Sequence, residues 1–270
     1  MKTKSKIFIA KIILKILSIF INKLKFIKKV NGIKWNFDLN EGIDLSFFLF
    51  GKFEYDIIKS SKKLKIVSNS SIIDIGANFG IQTLQFANNF KDCKIYSVEP
   101  TDFAFNKLKR NIMLNKKLSS NINIFQIFLT NKRIIPKKVY SSWNLKNKSV
   151  HKNHFGSFKS TKSAKIFTLD KFITINKIKN ISLIKLDVDG NEFSVLKSAK
   201  NILSKRKIPI IMEFAPYLYK ENNYSVEDLI KLIKSYNYSF FDLATHSKIK
   251  NIYKFASSVS YGSSTNILIK

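Results

Sequence analysis

Residues 71–80 read Ser-Ile-Ile-Asp-Ile-Gly-Ala-Asn-Phe-Gly, a β-branched run that carries one acid and ends in two spaced glycines. Ile72, Ile73 and Ile75 suit a strand buried on both faces, after which the chain turns sharply into a helix predicted over 79–90. In that turn Gly76 and Gly80 supply backbone freedom and close approach where a side chain would block a ligand, and Ala77 and Asn78 sit at the helix start, where amides are free. A dinucleotide fingerprint needs G-x-G-x-x-G. Here Asp74 occupies the first glycine position and the remaining pair is spaced G-x-x-x-G. An acid there repels a pyrophosphate but complements a sulfonium and an ammonium, which favours adenosyl-methionine over NAD. Glu99 ends the next predicted strand, 94–98, where a carboxylate can accept both ribose hydroxyls. The cofactor-binding set is therefore Asp74, Gly76, Ala77, Asn78, Gly80 and Glu99.

Two more acids close later strands. Ligands of open α/β sheets bind beyond the carboxyl ends of the strands, and there Asp187 and Glu213 close predicted strands 181–186 and 208–214. Alternation puts Lys185 on the same face as Asp187, and a lysine inside a central strand is costly unless paired. Methyl transfer from a sulfonium is an in-line displacement in which a hydroxyl acceptor must also lose its proton. Asp187 and Glu213 are the candidate bases, and Lys185 the candidate to hold Asp187 ionised or to bond the acceptor hydroxyl. A structural ion pair produces the same pattern. Asp189 and Glu192 read as a capping box before a helix. Magnesium on Asp187, Asp189 and Glu213 has hard oxygen ligands but no histidine and no specific spacing, so no metal is expected.

These segments, with Phe53-Glu54, Val98-Glu99-Pro100, Thr168-Leu-Asp170, Lys185-Leu-Asp-Val-Asp-Gly-Asn-Glu192 and Met212-Glu-Phe214, resemble the FkbM family of methyltransferases from about residue 41 to the C-terminus. Asp189 departs from the glutamate more usual in that family. The resemblance implies adenosyl-methionine-dependent O-methylation, often of a sugar hydroxyl on a polysaccharide, glycolipid or natural product. Glu54 matches an acid of the family, and cofactor contact and a surface helix position both stay open for it.

Strand and helix patterns alternate from residue 72 onward, the βαβ rhythm of a doubly wound, mostly parallel sheet of Rossmann-like class I methyltransferase type. Segments 239–243 and 266–269 are expected to pair antiparallel at one edge. Upstream, 33–39 alternates like a strand and 44–60 reads as one helix, a lead-in of residues 31–65 that caps the cofactor site. Residues 131–165 break the rhythm and are too long for a simple connector, which points to short edge strands or a substrate loop. The methyltransferase domain itself is placed at 66–270.

Residues 1–30 form an arm. Lys4, Lys11, Lys15, Ser18, Asn22, Lys25 and Lys29 recur at helical spacing between isoleucine, leucine and phenylalanine, which predicts a basic amphipathic helix over 4–29 that lies on an anionic membrane surface at the cytoplasmic face. A spanning helix would bury Lys11 and Lys15 at about 3 kcal/mol each. Packing on protein is the rival reading. The formal charge of +30 invites a polyanion, yet only Arg110, Arg133 and Arg206 are arginine, the residue that nucleic-acid readers lean on. An RNA or protein methyltransferase, or a non-catalytic membrane-binding module, are the alternatives. Cys93 is the single cysteine and excludes an internal disulfide; His151 and His154 read as solvated loop histidines.

Overall fold

The computed structural model describes residues 3–146, 151 and 156–270; His154 lies outside the described residues, as does the side chain of Lys4. The arm is shorter than its periodicity implies. α1 (Thr3–Phe20) stops well before residue 29, and β1 (Lys25–Val30) pairs antiparallel with β2 (Ile33–Asp38). The reason is the Asn31-Gly32 turn: both residues have positive φ, at 52° and 81°, the geometry that closes a two-residue hairpin. One helix expected over 44–60 is two, α2 (Gly42–Phe50) and α3 (Tyr55–Lys63), because Gly51 ends the first in the left-handed conformation.

The main sheet opens with β3 (Ser71–Ile75), α4 (Ile81–Asn89), β4 (Lys94–Val98), α5 (Asp102–Met113), the single turn α6 (Lys116–Ser119) and β5 (Ile122–Phe125). β6 (Ile127–Leu129), β7 (Lys138–Ser141), β8 (Ser157–Ser160) and β9 (Lys165–Phe167) then lie outside it, β6 parallel to β9 and β7 antiparallel to β8. After α7 (Leu169–Ile175) the alternation resumes through β10 (Ile181–Leu186), α8 (Glu192–Lys197), α9 (Lys200–Lys205), β11 (Ile210–Phe214), α10 (Pro216–Tyr219), α11 (Val226–Ser235), β12 (Phe240–Asp242), α12 (Ile252–Ser258) and β13 (Thr265–Ile269). A helix expected over 192–203 is split at Ser198, whose hydroxyl donates to Val195 O and accepts from Leu169 N. The sheet runs β12-β13-β11-β10-β3-β4-β5, with β13 antiparallel to both neighbours. Its β3 is buried at every position, as a strand covered on both faces must be.

A second apolar cluster joins the lead-in to the sheet. Trp35 meets Phe47 edge to face at 5.0 Å, and Leu14 is buried on this cluster with Ile7, Ala10, Leu17 and Ile21 half-buried around it, a seam at i, i+3, i+4 spacing. The 131–165 segment docks on the lead-in as well: Gly42 N donates to Trp143 O at 2.9 Å, Leu145 N to Asn40 O at 2.7 Å, and Lys159 pairs with Glu41 at 3.3 Å. α5 is tied to α2 by the buried ion pair Lys107–Asp44; burial pushes the Asp44 carboxyl up to about 6, against the pull of Lys107.

Removing Lys107 leaves a buried carboxyl without its cation. Lys107→Ala is expected to cost about 3 kcal/mol in urea unfolding near pH 8 and less near pH 5, where a protonated Asp44 needs no cation. An equal loss at both pH values would rule out the pair as the cause.

Candidate active site

The carboxyl ends of β3, β4, β10 and β11 open into one cavity of about 1030 Å³, walled on the far side by α1, α2 and the 131–143 segment. Its floor is the turn after β3. Gly76 N and Ala77 N both donate to Val98 O at 2.9 and 3.0 Å, folding the turn over the end of β4. Gly76 has φ +76°, and a Cβ on it would lie 1.6 Å from the Asp187 carbonyl oxygen; at Gly80, φ +92°, a Cβ would meet Leu108 at 2.6 Å. Protein crossing protein thus already requires both glycines, and Gly76 lines the cavity as well.

Glu99 is buried at the cavity edge. Its Oε2 accepts from Asn78 N at 2.9 Å, and its Oε1 from Thr101 N and Oγ1 at 2.9 and 2.5 Å. Oε2 therefore keeps one acceptor position, a match for a ribose hydroxyl. Asp74, in contrast, does not line the cavity. Its carboxylate lies beneath the turn, accepting from Thr83 Oγ1 at 2.6 Å with Lys185 Nζ at 3.6 Å, because at its place on β3 the side chain is turned toward α4 and β10. It is therefore not the acid that faces the ligand's cations, as its sequence position suggests; the carboxylates that line the cavity are Glu54, Glu99, Asp187, Asp189, Glu213 and Glu221.

Lys185 and Asp187 are brought together, with Nζ to Oδ2 at 3.2 Å, and the same ammonium donates to Gly76 O at 3.0 Å. Burial pulls the Lys185 ammonium down, but Asp187, Asp74 and Glu54 outweigh it and hold the group well above the ordinary lysine range. Asp187 is 27% exposed to the cavity. Glu213 lies beside it at the end of β11, its carboxyl pushed well up by burial and then by Asp187 and Asp189. Burial, Asp187 and Glu192 raise Asp189 to about 8.

The capping box does not form. Asn191 holds the N-cap of α8 without a side-chain capping bond, its amide donating to Leu129 O instead, and Asp189 sits at φ 50° with its carboxyl among the cavity acids. Glu192 does reach back, accepting from Val188 N at 3.1 Å and Gly190 N at 3.2 Å. Glu54 comes in at φ 46° from the α2–α3 break, raised to about 7 by burial and Asp187 and bonded to Asn266. Gln82 Nε2 fastens that break to α4 through Phe53 O and Glu54 O at 3.4 and 3.3 Å. His151 is no solvated loop residue: it pairs with Glu221 at 3.0 Å and packs on Tyr140. Tyr217, Trp143 and Ser264 also line the cavity and have no signature in one sequence. Among the described residues, no group of His, Cys, Asp and Glu has the arrangement of a metal site.

The cradle fits a nucleoside sulfonium: an acceptor at Glu99 for the ribose and a carboxyl-lined centre for the cations. Residues 74–240 match the family described as the methyltransferase FkbM domain. The chain belongs to the FkbM methyltransferase family. Its methyl donor is S-adenosyl-methionine. No curated protein matches it. Solved structures similar to this FkbM chain include a precorrin-6y methyltransferase from Geobacter metallireducens, at 10% identity over 79% of this chain and 83% of that one with a TM-score of 0.42. A SAM-dependent methyltransferase from Aquifex aeolicus has 10% identity over 79% and 87% with a TM-score of 0.41.

The raised acids set a pH dependence. Glu54 and Asp189 titrate near about 7 and about 8 in the fold against roughly 4 in an unfolded chain, so between those values the folded FkbM protein binds more protons than the unfolded one. Stability without ligand is therefore full below about pH 4 as far as these groups are concerned, and falls as pH rises through about 8. A sulfonium offsets the charge as the acids ionise; the thioether of S-adenosyl-homocysteine does not. The affinity ratio of S-adenosyl-methionine to S-adenosyl-homocysteine, measured by calorimetry, is expected to climb from about pH 6 to about pH 8.5. A flat ratio would put these acids out of reach of the sulfonium.

Proposed function

We propose that this FkbM methyltransferase methylates a hydroxyl oxygen, on a glycan, glycolipid or related metabolite. The observation that carries the reading is the sign of the cavity: a chain of net charge +30 lines its ligand site with carboxyls, at Glu54, Asp187, Asp189, Glu213 and Glu221. Such a lining repels a phosphodiester backbone and accepts the hydroxyl protons of a neutral polyol. An RNA acceptor is disfavoured on the same ground.

When bound, S-adenosyl-methionine supplies the electrophilic methyl group. What the chain contributes is placement and a proton acceptor. Asp187, open to the cavity and facing a buried ammonium 3.2 Å away, takes the hydroxyl proton in this reading. Lys185 is fixed by Gly76 O and Asp74, so it holds Asp187 in place. Glu213, beside Asp187 and Ser264, positions the acceptor. Asp187→Asn is expected to lower kcat by about a hundredfold or more while S-adenosyl-homocysteine affinity changes severalfold at most. Label transfer from methyl-labelled donor to a glycan extract measures the first and calorimetry the second; unchanged kcat would remove Asp187 from the proton path.

The arm supports a place for the reaction on the cytoplasmic face of a membrane. Ten lysines and no acid precede Asp38. α1 turns Ile12, Ile16, Ile19 and Phe20 outward beside Lys11 and Lys15, with Ile19 74% and Phe20 78% exposed. An apolar patch of that kind, ringed by lysine, suits the headgroup region of an anionic bilayer. Among the described residues no helix is long and apolar enough to cross one. The intact protein is expected to co-sediment with phosphatidylglycerol vesicles, more weakly as salt rises, and Ile19→Ser with Phe20→Ser to lose most of that binding. Equal recovery with neutral vesicles would refute the electrostatic part.

A further inference from the structure

The cavity has two chemically different parts. One holds the turn after β3, Glu99 and the acids at the ends of β10 and β11. The other is an apolar wing between α1 and α2, made by Ile9, Ala10, Ile13, Leu49, Phe50 and Phe53. From Leu45 to Phe53 the chain carries no acid. At about 1030 Å³ the cavity lies at the upper end of the roughly 300–1000 Å³ range of small-molecule sites, room for a cofactor and a sizeable second ligand.

Both ends of the wing are defined. Its inner end is the Phe53-Glu54 step: Phe53 belongs to the wing, and the next residue places its carboxyl within electrostatic reach of Asp187 and Lys185. The outer end is the surface of α1 and α2. Ile9 is 43% exposed and Phe50 66% exposed, yet both also line the cavity. Ile9 is continuous with the outward Ile12 and Ile16, one and two turns along the same helix. Apolar lining therefore reaches from the lysine-flanked face of α1 inward to Phe53, beside Glu54. A polar acceptor has no use for such a path, whereas a hydrocarbon chain lying in the same lipid surface gains by entering it.

We infer that the wing receives the hydrocarbon chain of an amphiphilic acceptor drawn from the membrane, so that its polar head, carrying the hydroxyl, reaches Asp187. This rests on the methyl-transfer reading for what happens to the head. It does not rest on it for the binding of the chain.

The test uses the full protein with S-adenosyl-homocysteine present and n-hexyl, n-octyl and n-decyl glucoside below their micelle concentrations, followed by calorimetry. Affinity is expected to rise about three- to fourfold for each added methylene, the increment of burying one CH₂. Ile9→Ser with Phe50→Ser, at positions exposed enough to spare the fold, is expected to flatten the series. Ile19→Ser with Phe20→Ser, on the outer face, is expected to leave it steep. A flat series in the unaltered protein with S-adenosyl-homocysteine still bound overturns the wing and leaves methyl transfer standing. A steep series in a protein that transfers no methyl group does the reverse. A series equally steep in Ile9→Ser with Phe50→Ser marks general adsorption and overturns the inference. So does a dimer, seen by sedimentation, that the glucosides cannot enter, since the wing would then be a subunit interface.

Discussion

The Lys185 ammonium is the interaction on which the site depends. A cation buried in a central strand costs several kcal/mol of desolvation unless it is paired, and here Asp74, Asp187 and the Gly76 carbonyl surround it. Those partners come from the ends of two neighbouring strands. Holding them draws the turn after β3 against the end of β10, so closely that the Asp187 carbonyl fills the space where a side chain at position 76 would go. The left-handed turn, the amides folded over Val98 and the placing of Glu99 against Asn78 follow from that approach. One buried charge thereby sets the shape of the cavity floor and the position of the Asp187 carboxylate.

Charge is sorted by depth. Lysines dominate the surface, while acids converge on the cavity, where burial and mutual repulsion raise Glu54, Asp189 and Glu213. A cluster of that kind is unfavourable when empty of cations and becomes favourable around a sulfonium and an ammonium. The backbone carries strain at the same place: Glu54, Asn78 and Asp189 all have positive φ, and all three line the cavity. Non-glycine residues hold that conformation only when their surroundings over-determine it, which fits a site preorganised for its ligand.

How much of this was legible follows from range. The β-branched runs of β3, β10 and β11 are local signals, and the sheet order and antiparallel edge follow from them by the ordinary rules of α/β folds. The Lys185–Asp187 pair was legible because both residues sit two apart on one strand. Asp74 was not placed correctly: its identity suggests a ligand contact, but only the packing of α4 shows Thr83 meeting it. Glu54 is one of five acids in the lead-in with nothing local to single it out, and its approach to Asp187 spans more than a hundred residues of chain. The end of α1 is hidden in the sequence because lysine spacing continues past Phe20 at a period that suits helix and strand alike, and the turn signal that marks the hairpin, Asn31-Gly32, comes only after β1.

α1 packs on protein along one face and leaves a second apolar face uncovered. It has apolar residues on too many sides for one partner. Ile7, Ala10, Leu14, Leu17 and Ile21 spend one seam on the lead-in cluster, and that contact accounts for why the helix is held at all. The seam leaves Phe8, Ile12, Ile16, Ile19 and Phe20 uncovered, more apolar surface than a helix in water ordinarily shows. Between the two faces, Ile9 and Ile13 border the cavity. One helix is thus fixed to the fold on one side, apolar and uncovered on the other, and part of the cavity wall between them.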